Sequence, residues 1–351
     1  MNFLIIRFRQ MGDTVLTTPL MNTLKQNFKD CNVDIILNDK IAPLLYHHPS
    51  VDNIITFTEK ERHNLPVYIA KVWRIMRAKH YDAIFDMRSN INTLLFQFMA
   101  PGTLIRSGID TGYSKLIQTN SIKRCRRDEQ MIDHNLKLLA PLEKFKQIKY
   151  DRRMTLAVAE DERLSFKAYM EKCGIDFSRP IMLAGVTAKL ENKTWNKEYT
   201  IDVLKRFINE FNDVQIVLNY APGKEEEDAK EISKNLDSKN VFLNISAKGL
   251  RELIAMAHNV DFYFGNEGGA RHIVDASGKP TFSICSPGAS KQTWIPAHNV
   301  HHQAIAPSDF ATPEQLSTMT HEQKYELIKP DYVWEKLKTF TQNVVINTMH
   351  P

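Results

Sequence analysis

Only four cysteines occur in 351 residues, and Cys31, Cys125, Cys173 and Cys285 stand far apart with no Cys-x-x-Cys pair. That spacing excludes a disulfide scaffold and a zinc ribbon, and it fits reduced thiols in a cytoplasmic protein. No apolar run approaches the ~18 residues of a membrane-crossing helix. The apolar opening is short, and Arg7 and Arg9 follow it rather than precede it, which is the wrong order for a secretory signal. Gly-x-Gly-x-x-Gly, the Walker lysine motif, His-Glu-x-x-His and the nucleophile elbow are all missing. A strong charge of one sign is missing too. Lys and Arg total 46 against 41 Asp and Glu, a net +5. So mild an excess fits an anionic substrate or an acidic membrane surface and argues against a nucleic-acid partner.

What is present is an ordinary globular composition, 43% hydrophobic and 25% charged, in a chain long enough for about two domains. Short apolar runs alternate with amphipathic segments. Strands are predicted at 3–8, 33–37, 54–57 and 83–87, with helices over 14–28, 42–46, 65–79 and 91–99. The rhythm weakens between about Asp110 and Arg153, where a helix is predicted over 129–143. A further helix is predicted over 160–173. The alternation then restarts, with strands at 181–184, 215–219, 241–243, 262–265 and 281–284. Helices are expected over 199–212, 224–235, 250–258 and 269–277. Such βαβ alternation predicts an α/β fold of two doubly wound, Rossmann-like domains facing a central cleft. The expected domains are 1–175 and 176–329, with a helix in 330–351 packing back on the first domain.

Four loops at predicted strand ends carry chemistry. Met11-Gly12-Asp13 follows the first strand. There Asp13 serves either as a helix cap or as a general base. Thr187, Lys189 and Lys193 lie after the first strand of the second half, in a polar loop suited to phosphate, with Lys193 as a point charge and Trp195 as a packing anchor. Glu225 opens a helix, where it either complements the helix dipole or accepts hydrogen bonds from a ribose. Asn266-Glu267-Gly268-Gly269-Ala270-Arg271-His272 is a glycine-rich turn leading into a helix, the arrangement that offers backbone amides to an anion.

Taken in order, these loops resemble the heptosyltransferase family, glycosyltransferase family 9, whose members build the lipopolysaccharide inner core. Met11-Gly12-Asp13 with Thr18-Pro19, His48-Pro49, Tyr81-Asp82-Ala-Ile-Phe-Asp86, His134, Lys193-Thr-Trp195, Ala221-Pro-Gly, Gly268-Gly269 to His272, Ser286-Pro287 and Trp294-Ile-Pro296 carry the likeness. The resemblance implies GT-B architecture, with the acceptor on the N-terminal domain and the donor nucleotide on the C-terminal one. It implies metal-independent, inverting transfer of a heptose or related sugar from an ADP-sugar to a lipopolysaccharide core or lipid A-linked saccharide, with no cofactor.

Carried over by position, Asp13 becomes the general base and Lys193 the counter-charge to the leaving diphosphate. Thr187, Lys189, Glu225, Asn266, Glu267, Gly268, Gly269, Ala270 and His272 become donor-binding, with Glu225 on the ribose. The implied location is the cytoplasm, with contact at the inner-membrane face left open. The basic run with Arg124, Arg126 and Arg127 is either a solvated loop or the part that meets acceptor phosphates and anionic lipid. One departure stands out, because Asn266-Glu267-Gly268-Gly269 replaces the family's usual Asp-x-Gly. Two alternatives keep the fold: a non-catalytic nucleotide-sugar-binding protein and a nucleotide-sugar epimerase.

Overall fold

A computed structural model describes residues 1–188, 190–295 and 301–346, and the chain divides into unit 1 (Met1–Ala157) and unit 2 (Val158–Pro351). In unit 1, β1 (Asn2–Ile6) carries Phe3, Leu4, Ile5 and Ile6, all fully buried. Burial on both faces is what a central parallel strand requires. It is flanked by β2 (Asn32–Asn38), β3 (Asn53–Phe57), β4 (Ala83–Asp86), β5 (Ile105–Ile109) and β6 (Asn120–Ile122), in the order β3-β2-β1-β4-β5-β6 and all parallel. The helices are α1 (Met11–Val15), α2 (Thr18–Asn27), α3 (Glu59–His63), α4 (Leu65–Ala78), α5 (Ile91–Phe98) and α6 (Met131–Leu136). The single helix predicted over 14–28 is two. Thr17 caps α2 with Pro19 in its first turn, and a proline there lacks the N–H that would have continued α1.

Unit 2 repeats the plan with β7 (Ile181–Gly185), β8 (Gln215–Leu218), β9 (Val241–Phe242), β10 (Phe262–Asn266), β11 (Thr281–Ile284) and β12 (His302–Ile305), ordered β12-β11-β10-β7-β8-β9. Its helices are α7 (Glu160–Lys172), α8 (Lys197–Glu210), α9 (Lys224–Leu236), α10 (Leu250–His258), α11 (Gly269–Ala276), α12 (Lys291–Trp294), α13 (Pro313–Thr318), α14 (His321–Glu326) and α15 (Pro330–Phe340). In each sheet the chain reverses direction beside the first strand, between β1 and β4 and between β7 and β10. Ligands of doubly wound sheets sit at the carboxyl ends of such a pair.

The structure corrects several expectations. The division falls after Ala157 rather than near 176, and α7 belongs to unit 2, where Glu162 holds Arg251 of α10 and the Tyr169 hydroxyl donates to the Asn244 carbonyl at 2.9 Å. The C-terminal helix packs within unit 2, not on the first domain. Val333, Leu337 and Phe340 are buried in a core shared with Val203 and Phe207 of α8, and Lys338 pairs with Glu210 at 2.6 Å. Strands β5, β6 and β12 extend both sheets beyond the predicted runs. The helix expected over 129–143 stops at Leu136 and continues as tighter 3₁₀ turns through Lys144, with Pro141 inside.

Candidate active site

At the β1–β4 switch point of unit 1, Asp13 lies in the first turn of α1, whose cap is Gln10, so it is not the capping residue. Its Oδ1 accepts from the Arg7 guanidinium at 2.8 Å, and its Oδ2 has no hydrogen-bond partner among the described residues. Arg7 is 4% exposed and also donates to the Asp13 carbonyl (3.2 Å) and the Met87 carbonyl (3.1 Å). Burial, opposed by Asp13, lowers the Arg7 pKa to about 10. The carboxylate is therefore held in place by a cation that itself has little contact with water.

Arg9 and Arg88 lie close to this pair, and Arg62 of α3 lies close to Arg88. Arg88 donates to the Phe8 carbonyl at 2.7 Å, and burial, followed by repulsion from Arg9 and Arg62, holds its guanidinium below the usual range. Arg9 and Arg62 pair with no carboxylate among the described residues, and the buried Nε of Arg62 has no hydrogen-bond partner. Arg9, Arg62 and Arg88 were not singled out from the sequence, because the ends of β1 and β4 and helix α3 come together only once the sheet forms. The predicted acceptor residues lie on the loop after the edge strand β6. There Arg126 makes a bidentate pair with Asp128 (3.0 and 2.7 Å), and Arg124 and Arg127 are exposed.

In unit 2, Lys193 ends a single 3₁₀ turn after β7, exposed and without an ion-pair partner among the described residues. Trp195 follows as a buried anchor, its indole N–H donating to the Ile328 carbonyl at 3.1 Å. Thr187 and Glu225 come together, the threonine hydroxyl donating to Oε2 at 3.1 Å. The Ala221 amide donates to the same oxygen at 3.4 Å, so the carboxylate is oriented at the carboxyl end of β8. Lys189 and Pro296 lie outside the described residues.

The loop after β10 divides its work between two neighbouring side chains. The Asn266 carboxamide is used at both ends, Oδ1 accepting from the Trp195 amide (2.8 Å) and Nδ2 donating to the Gly185 carbonyl (3.2 Å). That makes it a clip between the loops after β7 and β10. Glu267 is 9% exposed and faces His272 Nε2 at 3.5 Å. Burial alone would raise its pKa, but His272 and the nearby charges of Arg271 and Lys193 outweigh burial and keep it below the usual glutamate range.

Burial and Arg271 push the His272 pKa down. The Arg271 guanidinium donates to His272 Nδ1 at 2.8 Å, which leaves the proton of a neutral ring on Nε2, toward Glu267. Behind it, Arg271 reaches Asp275 (3.2 Å), and Asp275 meets His302 (2.9 Å). His272 thus belongs to a buried network that fixes Glu267.

Gly268 caps α11 in extended backbone that any residue could adopt, and a Cβ there would meet open space. The first amides of α11 at Gly269 and Ala270 have no helix carbonyl ahead of them and form a ready anion site. Gly265 is different. Its φ is +150°, and a Cβ would strike the Gly185 carbonyl oxygen at 2.3 Å. The carboxyl ends of β7 and β10 therefore run in close backbone contact, bringing the Lys193 loop and the α11 amides to one edge.

Two Rossmann-like units in tandem, one offering an oriented carboxylate among arginines and the other a lysine beside a helix N-terminus, define a two-domain glycosyltransferase of GT-B architecture. Residues 69–325 match the model of glycosyltransferase family 9 (heptosyltransferase), and the chain belongs to that family. It is 25% identical over 297 residues to lipopolysaccharide heptosyltransferase 1 of Campylobacter coli, covering 81% of this chain and 83% of that one. Among solved structures, the family 9 glycosyl transferase from Veillonella parvula superposes with a TM-score of 0.81 at 15% identity, covering 97% of both chains. The E. coli heptosyltransferase WaaC with ADP gives 0.69 at 14% identity, covering 97% of this chain and all of that one. Among the described residues, no helix is long and apolar enough to cross a membrane.

Proposed function

We propose that the protein transfers a heptose from an ADP-activated donor to a lipid-linked lipopolysaccharide core saccharide, with inversion and without a metal ion. The observation that carries this reading is that an exposed Lys193 and the first amides of α11 follow adjacent strands, β7 and β10, at the switch point of the sheet. A departing nucleoside diphosphate needs compensating charge, and a lysine with oriented N–H dipoles can supply it. Glu225, steadied by Thr187 and the Ala221 amide, is suited to accept from ribose hydroxyls. Glu267, ionised and nearly buried, is suited to the donor sugar in place of the family's aspartate. That WaaC was solved with ADP supports adenine as the base.

In unit 1, Asp13 is the base. Its free Oδ2 takes the proton of the acceptor hydroxyl as the hydroxyl oxygen forms a bond to the anomeric carbon. The bond from that carbon to the diphosphate breaks on the opposite face, and a single displacement of this kind inverts the centre. Arg7 fixes the rotamer of Asp13 through Oδ1, while Arg9, Arg62 and Arg88 provide positive potential for an anionic acceptor.

Calorimetry with ADP, UDP and GDP, with and without a chelator, tests the donor half. ADP preference that survives chelation and falls at least about tenfold in Lys193→Ala is the expected result. Preference for UDP or GDP would retire the heptose donor.

A further inference from the structure

Helix α4 has two apolar faces and only one covering. Tyr68 and Val72 are buried against the unit 1 core, whereas Leu65, Ile69 and Trp73 form an outward stripe at four-residue spacing. Leu65 and Trp73 are each 57% exposed. The stripe lines a shallow groove of about 460 Å³ completed by Pro66, Ala70 and Met99. On either side of Met99 in the chain, Phe98 (66%) and Leu104 (73%) are exposed as well. Contiguous exposure of large apolar side chains marks a contact surface.

The charges around the groove identify the partner. From Arg62 to Tyr81, and again from Met87 to Ile109, there is no Asp or Glu. Lys71 is taken up by Glu61 and Lys79 by Asp34, but Arg74 and Arg77 are exposed and pair with no carboxylate among the described residues. The Arg77 guanidinium lies 5.7 Å from the Trp73 ring, a cation stacked at the border of the apolar stripe. Tryptophan with flanking arginines is suited to the boundary between headgroups and acyl chains, where the ring enters and the cation meets phosphate. A twofold dimer through this face would set Arg74 and Arg77 against their own copies, which electrostatics disfavours.

We propose that the outer face of α4, with the end of α5, docks on a bilayer containing anionic phospholipids. The purpose given to it, access to a lipid-linked acceptor, rests on the function proposed above, and the test separates the two.

Flotation is measured with phosphatidylcholine vesicles and with phosphatidylcholine–phosphatidylglycerol vesicles, for wild type, Ile69→Glu/Trp73→Glu and Trp73→Phe. Ile69 and Trp73 are exposed, so Tyr68 and Val72 keep the core intact. Wild type should float with the anionic vesicles, less so as salt rises, with a blue shift of tryptophan emission. The double variant should lose partition about tenfold or more while its ADP titration is unchanged. Trp73→Phe should still bind but lose the blue shift.

Equal partition by the double variant, or no partition by wild type, overturns the proposal. A concentration-dependent dimer that the double variant dissolves overturns it in favour of self-association. Vesicle binding that persists in a protein with no nucleotide affinity would uphold the surface and reject the function.

Discussion

Replacing Asp13 with alanine removes the proposed base and also strips Arg7 of its only paired carboxylate among the described residues, so the choice of substitution decides what is learned. A buried ion pair broken on one side costs about 3–5 kcal/mol. Here Arg7 keeps the Asp13 and Met87 carbonyls as acceptors, and the Asp13 side chain is 21% exposed, so ~2 kcal/mol is the reasoned loss. For a unit of this size that corresponds to a Tm fall of about 4–8 °C. Asparagine keeps an oxygen where Oδ1 lies, so Arg7 retains its partner and the Tm should move by less than about 2 °C. Loss of a general base lowers turnover by about 10²–10⁴-fold. Asp13→Asn should therefore fold like wild type and transfer sugar at least about 100-fold more slowly, measured with donor saturating. Near wild-type turnover in that variant would refute the base assignment. An Asp13→Ala variant as stable as wild type would refute the account of Arg7.

Two glycines at the donor edge should behave oppositely. Gly268→Ala should leave the melting temperature unchanged but weaken ADP binding, because its Cβ meets open space in the protein and would occupy room a phosphate needs. Gly265→Ala should fail to fold stably, since its Cβ meets backbone at 2.3 Å at φ +150°. Asp86 is fully buried with Oδ2 unpartnered, and burial, though opposed by the Ser89 and Arg88 amides, raises its pKa to about 6. A raised acid favours the protonated folded state, so stability is complete below about pH 4 and is lost as pH rises through about 6, by about 3 kcal/mol. Asp86→Asn should escape that loss, and its advantage over wild type in urea unfolding should be larger at pH 8 than at pH 5. An advantage independent of pH would contradict the assignment.

The strands that were legible in the sequence, β1 and β7 among them, are continuous apolar runs buried on both faces. β5 was hidden because Arg106 and Ser107 interrupt it. Ser107 is buried, but its hydroxyl is satisfied by the Asn120 side chain at 2.9 Å, a partner that exists only after the sheet forms. The amphipathic pattern of α15 shows that one face is covered but carries no information about which unit covers it. The loops at Asp13, Lys193, Glu225 and Gly268 were found because composition marks strand-to-helix turns locally. The arginines around Asp13 were not, because Arg88 and Phe8 are 80 residues apart and meet only through the sheet order.

The Asn266 clip changes how the variant loop should be understood. An aspartate at that position would set a carboxylate oxygen against the Gly185 carbonyl, two acceptors with no proton between them, so restoring the residue expected from relatives should cost stability. Under the function proposed above, the amide at 266 holds the loops together and leaves the acidic duty toward the donor sugar to the carboxylate at 267.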